Sequence, residues 1–276
     1  MADALRDGGV PEIELVHIVT AGDRGAAGDK LRFVKEIDDA LLRGDVDLAV
    51  HSAKDLPSEL PGEIVIAAVP PAEDPRDALC GAASVEALAS GARVGTASVR
   101  RRSQLLAIRS DLEIQPLRGN VDTRLRRLAE GDQDALVLAL AGLRRLGRDD
   151  AGTALDADTF VPAPGQGALA VTARADGAAR ETAAALEDAD SRTRLDAERA
   201  AVKTLGATCH TPVGIAAVRD GDEIVIRGYA GMPDGSDWIS DRLRTAAADP
   251  AAAGVALAER MIAAGAGELL RRAELA

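Results

Sequence analysis

Aromatic side chains are almost missing from this 276-residue chain: one Trp, one Tyr and two Phe. With 47% hydrophobic residues in total, its cores must be built from Ala, Val, Leu and Ile. Lysine is nearly as scarce, limited to Lys30, Lys35, Lys54 and Lys203, so arginine carries the positive charge. The two cysteines, Cys80 and Cys209, form no C-x-x-C pair and make no zinc set with His17, His51 and His210, so no metal is expected. That cysteine usage fits a reduced, cytoplasmic protein. No apolar run is long enough to span a membrane, and MADALRDGG lacks the charged and apolar regions of a signal peptide. Acidic residues outnumber basic ones, 45 to 33, for a net charge of -12. Nucleic-acid binding rests on neutralising phosphate, so no nucleic-acid partner is expected. The same charge suits a soluble protein kept apart by self-repulsion, here expected to be a monomer.

Against this acidic background one stretch stands out. Val94–Arg127 holds Arg100, Arg101, Arg102, Arg109, Arg118, Arg124, Arg126 and Arg127 against only Asp111, Glu113 and Asp122. A local positive field in a negative protein points to an anionic ligand.

The length suggests two or three domains. MADALRDGG opens as the end of a helix, and Glu12–Thr20 alternates like a strand. A Gly/Asp loop leads to an amphipathic helix over Leu31–Leu42, closed by Gly44. Val46–Val50 and Ile64–Val69 read as buried strands. Beyond Pro70-Pro71, strands near Arg93–Gly95, Leu112–Gln115 and Ala135–Leu140 alternate with helices near Ser98–Arg109, Val121–Ala129 and Leu143–Gly147. This spacing predicts βαβ units and mainly parallel sheets. PAPGQGALAVTAR (162–174) reads as a hinge and a strand that could return to the first sheet. From Asp190 the pattern changes to a long helix reaching Leu205, three strands and an Ala-rich helix, an α+β arrangement.

Three places could carry chemistry. HSAKD sets His51, Ser52, Lys54 and Asp55 at the end of a buried strand, where ligands sit in open α/β sheets. It is either a polar turn or a carboxylate–lysine pair able to move a proton. GTASVRR places Ser98 as a helix cap with Arg100 and Arg101 in the first turn. That placement is unfavourable for the helix dipole and so suggests a bound anion. Leu117-Arg118-Gly119-Asn120, with Arg124 one turn on, repeats the theme, whereas Arg109, Arg126, Arg127 and Arg148 read as solvated surface. Finally, Cys209 lies in the Gly/Thr/Pro loop GATCHTPVG beside His210, a candidate reactive or modified thiol, while Cys80 reads as packing.

FVKEIDDALLRGDVDLAVHSAKDLP, EDPRDAL, VGTASVRR, LRGNVDTRL, LALAGLRRLG, PAPGQGALAV and ATCHTPVG together, in this order, resemble the hydroxymethylbilane synthase (porphobilinogen deaminase) family. The resemblance implies an α/β fold of two periplasmic-binding-protein-like domains around a cleft, plus a small α+β domain. The expected boundaries are 1–70 with 168–186, then 74–162, then 190–276. It implies a transferase that condenses four porphobilinogen molecules with loss of ammonia, and a dipyrromethane cofactor joined to Cys209. By motif position Asp55 is the catalytic carboxylate with Lys54 beside it. Ser98, Arg100, Arg101, Lys54 and Asp55 are implied to hold the cofactor. Thr96, Arg118, Arg124, Arg145, Phe33 and Lys30 are implied to meet substrate, the last two at the lip of the cleft. Two departures from the family pattern stand out. The chain begins after a family strand bearing Thr-Arg-x-Ser-x-Leu-Ala, so an opened first sheet is expected, and the loop AGDRGAAGDK is short and poor in lysine. A non-enzymatic two-domain polycarboxylate binder is the competing reading.

Overall fold

The strands group into three sheets. The computed structural model describes residues 2–7, 10, 12–18 and 31–276 apart from residue 209, with the backbone alone for 31–33. In chain order α1 (Ala2–Asp7) and α2 (Leu31–Arg43) precede β1 (Leu48–Ser52), a single 3-10 turn at Ala53–Asp55 and β2 (Ile64–Ala68). Then come β3 (Asp77–Cys80), β4 (Arg93–Gly95), α3 (Val99–Ile108), β5 (Glu113–Gln115), α4 (Val121–Ala129), β6 (Ala135–Ala139), α5 (Leu140–Arg145) and β7 (Thr153–Ala154). The chain closes with β8 (Leu169–Arg174), α6 (Ala179–Ala183), α7 (Ala189–Leu205), β9 (Val213–Asp220), β10 (Glu223–Gly231), β11 (Trp238–Ala246), α8 (Pro250–Ala263) and α9 (Ala266–Glu274). The sheets have the strand orders β1-β8-β2, β5-β4-β6-β3-β7 and β11-β10-β9.

The cores are aliphatic, as the scarcity of aromatics demands. The five-stranded sheet buries Leu79, Val94, Leu105 and Val137 on one face and Leu117, Leu136, Leu138 and Leu143 on the other. Alternate residues of β6 thus serve opposite layers, as a strand covered on both faces requires. Two aromatic rings are exceptions among the described residues, Phe160 in the first of these layers at 1% exposed and Tyr229 against Val161 and Ala216 at 5%. In the third sheet Ile215, Ile224 and Ile226 meet Leu257, Met261 and Leu269 of the closing helices. The edge strand β11 alternates exposed and half-buried residues, whereas β9 and β10 bury successive residues, with Ala216 and Tyr229 meeting Val161 on the second face.

Four expectations are corrected. The sheets are not mainly parallel: among the described residues, β4 pairs in parallel with β5 and β6, and every other pairing is antiparallel. The reason is topological. In the first sheet β8 begins where β1 ends, Leu169 opposite Ser52, and in the second β3 begins where β6 ends, Asp77 opposite Ala139. Both strands come off the Pro-rich segments linking the two sheets, and a strand that enters at its neighbours' finishing end must run against them. Second, Glu12–Ile18 forms no strand, and Thr20 lies outside the described residues. Its Leu15 and Val16 are 69% and 53% exposed, so its alternation has no sheet edge or apolar face to satisfy. Third, the closing helix is two helices, broken at Gly265. The helix expected at Leu143–Gly147 begins three residues earlier, at Leu140.

The same topology places both linkers, 69–76 and 162–168, at the carboxyl ends of strands β1, β2 and β6. That edge is where open α/β sheets present ligand sites.

Candidate active site

Lys54 and Asp55 sit in the 3-10 turn that leaves β1. The turn is anchored by the Ala53 N–H, which donates to the Ala168 carbonyl at 3.0 Å. Across from it α3 begins. Ser98 is its cap, accepting from the Arg101 N–H at 3.4 Å, and Thr96 Oγ1 accepts the Ser98 N–H at 3.2 Å. The two elements face one cavity of about 280 Å³, lined by Lys54, Asp55, Ser98, Arg100, Arg101 and Gln166. Its remaining wall is the loop after α7, through Thr208 and Thr211. That loop is locked by its own hydroxyls: Thr211 Oγ1 accepts the Thr208 N–H at 2.9 Å and donates to the Thr208 carbonyl at 2.8 Å. Cys209 lies between these two threonines and outside the described residues. A larger cavity of about 640 Å³ adjoins, sharing Lys54, Pro164, Val202, Ala207 and Thr208 with the first and adding Arg199 and His210. Together they fall in the size range of small-molecule sites.

The electrostatics centre on Asp77, which the sequence reading passed over. It is wholly buried at the start of β3. Arg100 Nη1 donates to its Oδ2 at 2.8 Å, and Arg101 Nε donates to its Oδ1 at 2.8 Å. Burial alone would raise this carboxyl, but Arg100 and Arg101 outweigh it and hold it well below the usual carboxylate range. Arg100 also donates to the Val161 carbonyl at 2.8 Å and lies 5.9 Å over the Phe160 ring. Arg101 donates to the Val137 carbonyl at 2.9 Å. Arg100 and Arg101 were read as open to an anion; instead, much of their donor capacity is used internally. The reason is burial, since both are under 7% exposed and a buried cation needs a counterion. The pair with Asp77 still carries one net positive charge, and Arg100 Nε is buried with no hydrogen-bond partner.

Lys54 adds to this field. Burial pushes its ammonium down to about 8, Arg101 pushes the same way, and Asp55 and Asp77 resist. His51, buried in β1 with Nε2 3.0 Å from Thr172 Oγ1, is lowered to about 4 by burial against the pull of Asp55. It is a neutral core histidine rather than an acid or base of the site.

The other expected residues are distributed differently. Thr96 is 5% exposed and lines neither cavity, so its hydroxyl shapes the turn before α3. Arg124 is half-buried with its Nε lacking a hydrogen-bond partner, and burial together with Arg101 lowers its guanidinium. Arg118 is exposed and, among the described residues, makes no ion pair or side-chain hydrogen bond. Arg145 donates to the Gly167 carbonyl at 2.6 Å, clasping the linker. Phe33 lies in α2, but its side chain, like all of Lys30, lies outside the described residues. Cys80 is buried in β3 and its thiol is pushed up to about 11 by burial, as expected of a packing residue. Arg109 pairs with Asp111 at 2.7 Å on the surface. Among the described residues no cluster of His, Cys, Asp and Glu could hold a metal, and no helix is long and apolar enough to cross a membrane.

Gln166 and Glu198 were also missed. Gln166 Nε2 donates to the Pro75 carbonyl at 2.6 Å and to Asp77 at 3.1 Å, tying one linker to the other. Glu198 is buried in α7 and accepts the N–H groups of Gly165 and Ala217. Each had a signal. Asp77 is a carboxylate inside the apolar strand DALC, and Glu198 falls at helical spacing among Leu195, Ala201 and Leu205 on a buried face. A carboxylate in such a position needs partners.

A polyanionic pyrrole cofactor fits this donor set. The cavity presents Lys54 and Arg101, the Ser98 hydroxyl and the Asp55 carboxylate, with Arg100, Thr208 and Thr211 also in its wall and the Arg100 Nε buried without a partner behind it.

Comparison with known proteins covers most of the chain. Residues 1–182 match the profile described as "Porphobilinogen deaminase, dipyromethane cofactor binding domain", and residues 193–263 match "Porphobilinogen deaminase, C-terminal domain". The porphobilinogen deaminase of Roseiflexus sp. (strain RS-1) is 47% identical over 268 residues, 94% of this chain and 88% of that protein. That of Brevibacillus brevis is 44% identical over 272 residues, 94% of this chain and 87% of its own length. Among solved structures, a periplasmic sulfonate-binding protein, SsuA, from Methylobacillus flagellatus KT aligns at a TM-score of 0.38 with 15% identity, over 74% of this chain and 59% of its own. On the family profiles and the identity to these relatives, this chain belongs to the porphobilinogen deaminase, or hydroxymethylbilane synthase, family.

Proposed function

We propose that this chain condenses four porphobilinogen molecules head to tail, releasing ammonia at each step, and delivers linear hydroxymethylbilane for tetrapyrrole synthesis. The observation that carries the assignment of roles is the cavity itself. It brings the Lys54–Asp55 turn, the arginine-bearing start of α3 and the loop around Cys209 to one point. Cys209 is the attachment point of the dipyrromethane, which, when bound, supplies the nucleophilic pyrrole carbon to which substrate is joined.

The roles of the protein groups follow from their positions. Asp55 accepts the pyrrole N–H of the incoming substrate. When the substrate's C–N bond breaks and ammonia leaves, Asp55 offsets the positive charge spread over the ring and its methylene carbon. As the new C–C bond forms, the attacking ring carbon loses a proton, which Asp55 is assigned to take, while Lys54 acts as its protonated ammonium. Arg101, Arg124 and Arg118, with Ser98, receive acetate and propionate groups. Guanidinium forks suit carboxylates, at roughly 1.5–3 kcal/mol per good charge-assisted pair. Asp77 holds Arg100 and Arg101 in place, and Arg145 acts through the linker. Lys30 and Phe33 are assigned to the lip of the cleft by motif alone. The three sheets correspond to three domains, 1–70 with 168–186, 74–162 and 190–276. A cytoplasmic monomer is the working form.

Intact mass tests the assignment. The purified protein should weigh two linked pyrrole units more than its sequence, Cys209→Ser should lose that increment, and the wild-type protein should release ammonia from porphobilinogen. Turnover by a protein of unmodified mass would sink the Cys209 assignment. Tight carboxylate binding without ammonia release would favour a non-enzymatic receptor instead.

A further inference from the structure

Glu198 is 4% exposed and lines neither cavity, yet both of its oxygens are committed. Oε1 accepts the Ala217 N–H at 2.8 Å and Oε2 accepts the Gly165 N–H at 2.7 Å. The first bond goes to β9, the edge strand of the third sheet. One helical turn earlier in α7, Arg194 Nε donates to the carbonyl of the same residue, Ala217, at 3.0 Å. The two side chains therefore close an open sheet edge. Arg194 meets the carbonyl and Glu198 Oε1 the N–H, so one oxygen of Glu198 is enough for that purpose. The second bond of Glu198 goes elsewhere, into the linker.

Gly165 is the contact point between that linker and the catalytic turn. Its φ is +74°, and a Cβ there would lie 2.8 Å from both Ala53 C and Lys54 N, so the two peptides are in direct van der Waals contact. Three residues on, Ala168 accepts the Ala53 N–H. A shift of Gly165 is therefore passed to the peptide from which Lys54 and Asp55 project. Burying a carboxylate is costly, and an aliphatic residue would pack the same site more cheaply. A group that must accept two N–H bonds, one from β9 and one from the linker, accounts for its presence.

We infer that Glu198 is a positioning residue for Lys54 and Asp55, fixing their turn to the third sheet through the Gly165 peptide. The kinetic part rests on the porphobilinogen deaminase reading of the site, and the structural part does not.

The test compares E198Q with R194A. Glutamine keeps one acceptor oxygen and turns an NH2 group toward the other N–H, so one bond is lost to a donor–donor contact. R194A loosens the grip on β9 and leaves Gly165 alone. E198Q should lower kcat for ammonia release about tenfold to a hundredfold, the scale of an ångström-sized misplacement. KM and the dipyrromethane mass increment should be kept. R194A should lose a similar amount of Tm at unchanged kcat. Backbone hydrogen exchange over residues 53–56 should quicken in E198Q and stay at the wild-type rate in R194A. If E198Q does not fold, E198D keeps the charge, falls a methylene short and carries the same comparison. Unchanged exchange at 53–56 in the Glu198 variant overturns the inference, as does a kcat loss that tracks Tm equally in both variants. A wild-type protein that releases no ammonia overturns the activity assignment instead, and the exchange experiment then decides the inference on its own.

Discussion

At the scale of single residues, the site is governed by how burial and neighbours set charge. Lys54 is the clearest case. Its ammonium is brought down to about 8 by burial and Arg101, so it titrates just above neutrality. Whether it binds a carboxylate or hands over a proton, the useful form is the protonated one. Activity that depends on Lys54 should therefore be present below pH 8 and fall as pH rises through that value. We expect kcat/KM for porphobilinogen to show this alkaline limb, and Lys54→Arg, at lower overall rate, to lose it because a guanidinium stays charged. A limb that survives unchanged in the arginine variant would assign the ionisation to another group. Part of this residue-level detail was legible beforehand: HSAKD, GTASVRR and GATCHTPVG all contribute lining residues to one cavity. Asp77 and Glu198 were not found, because a carboxylate's role in a core depends on partners 19 to 89 residues away in sequence, and local pattern does not register such distances.

At the scale of elements, apolar periodicity located most helices and strands, including α2, α3, α4, α7 and the three strands of the last sheet. It could not give strand direction, because alternation reads the same both ways. The antiparallel returns of β3 and β8 are a property of the linkers, not of the strands. Those linkers are held by close backbone contact. Glu73 N–H donates to the Gly167 carbonyl at 3.1 Å, Gly167 has a φ of +88°, and a Cβ on it would overlap the Glu73 carbonyl. Gly167→Ala therefore combines a left-handed backbone with a steric conflict against main chain. It should destabilise the protein by about 1–3 kcal/mol, the usual range for stored backbone strain. A urea midpoint at the wild-type value would show that the two linkers are not tightly coupled here. Glu12–Ile18 teaches the converse lesson: a strand-like sequence does not make a strand unless an edge is available to pair with it.

At the scale of the whole molecule, a protein of net charge -12 has to collect an anionic substrate. Two fields of opposite sign act over different ranges. The overall negative charge repels at long range, while Lys54 and Arg101 at the cavity and, on the proposed reading, Arg118 and Arg124 attract at short range. Salt separates them, because the Debye length falls from about 30 Å at 0.01 M to about 10 Å at 0.1 M and about 3 Å at 1 M. At the lowest salt the repulsion of the whole surface reaches the substrate. Near 0.1 M it is screened while the local patch still acts, and near 1 M the exposed part of the patch is screened too. We therefore expect kcat/KM to rise and then fall over this range, with kcat much less affected. Arg118 is exposed and without an ion-pair partner among the described residues, so it belongs to the screened part of the patch. Arg118→Ala should keep the rising limb, which belongs to the net charge, and flatten the falling limb, which belongs to the arginines. A kcat/KM that falls steadily from the lowest salt in both proteins would mean that the surface charge plays no part in capture. An Arg118→Ala profile superimposable on the wild type would remove Arg118 from the substrate's path.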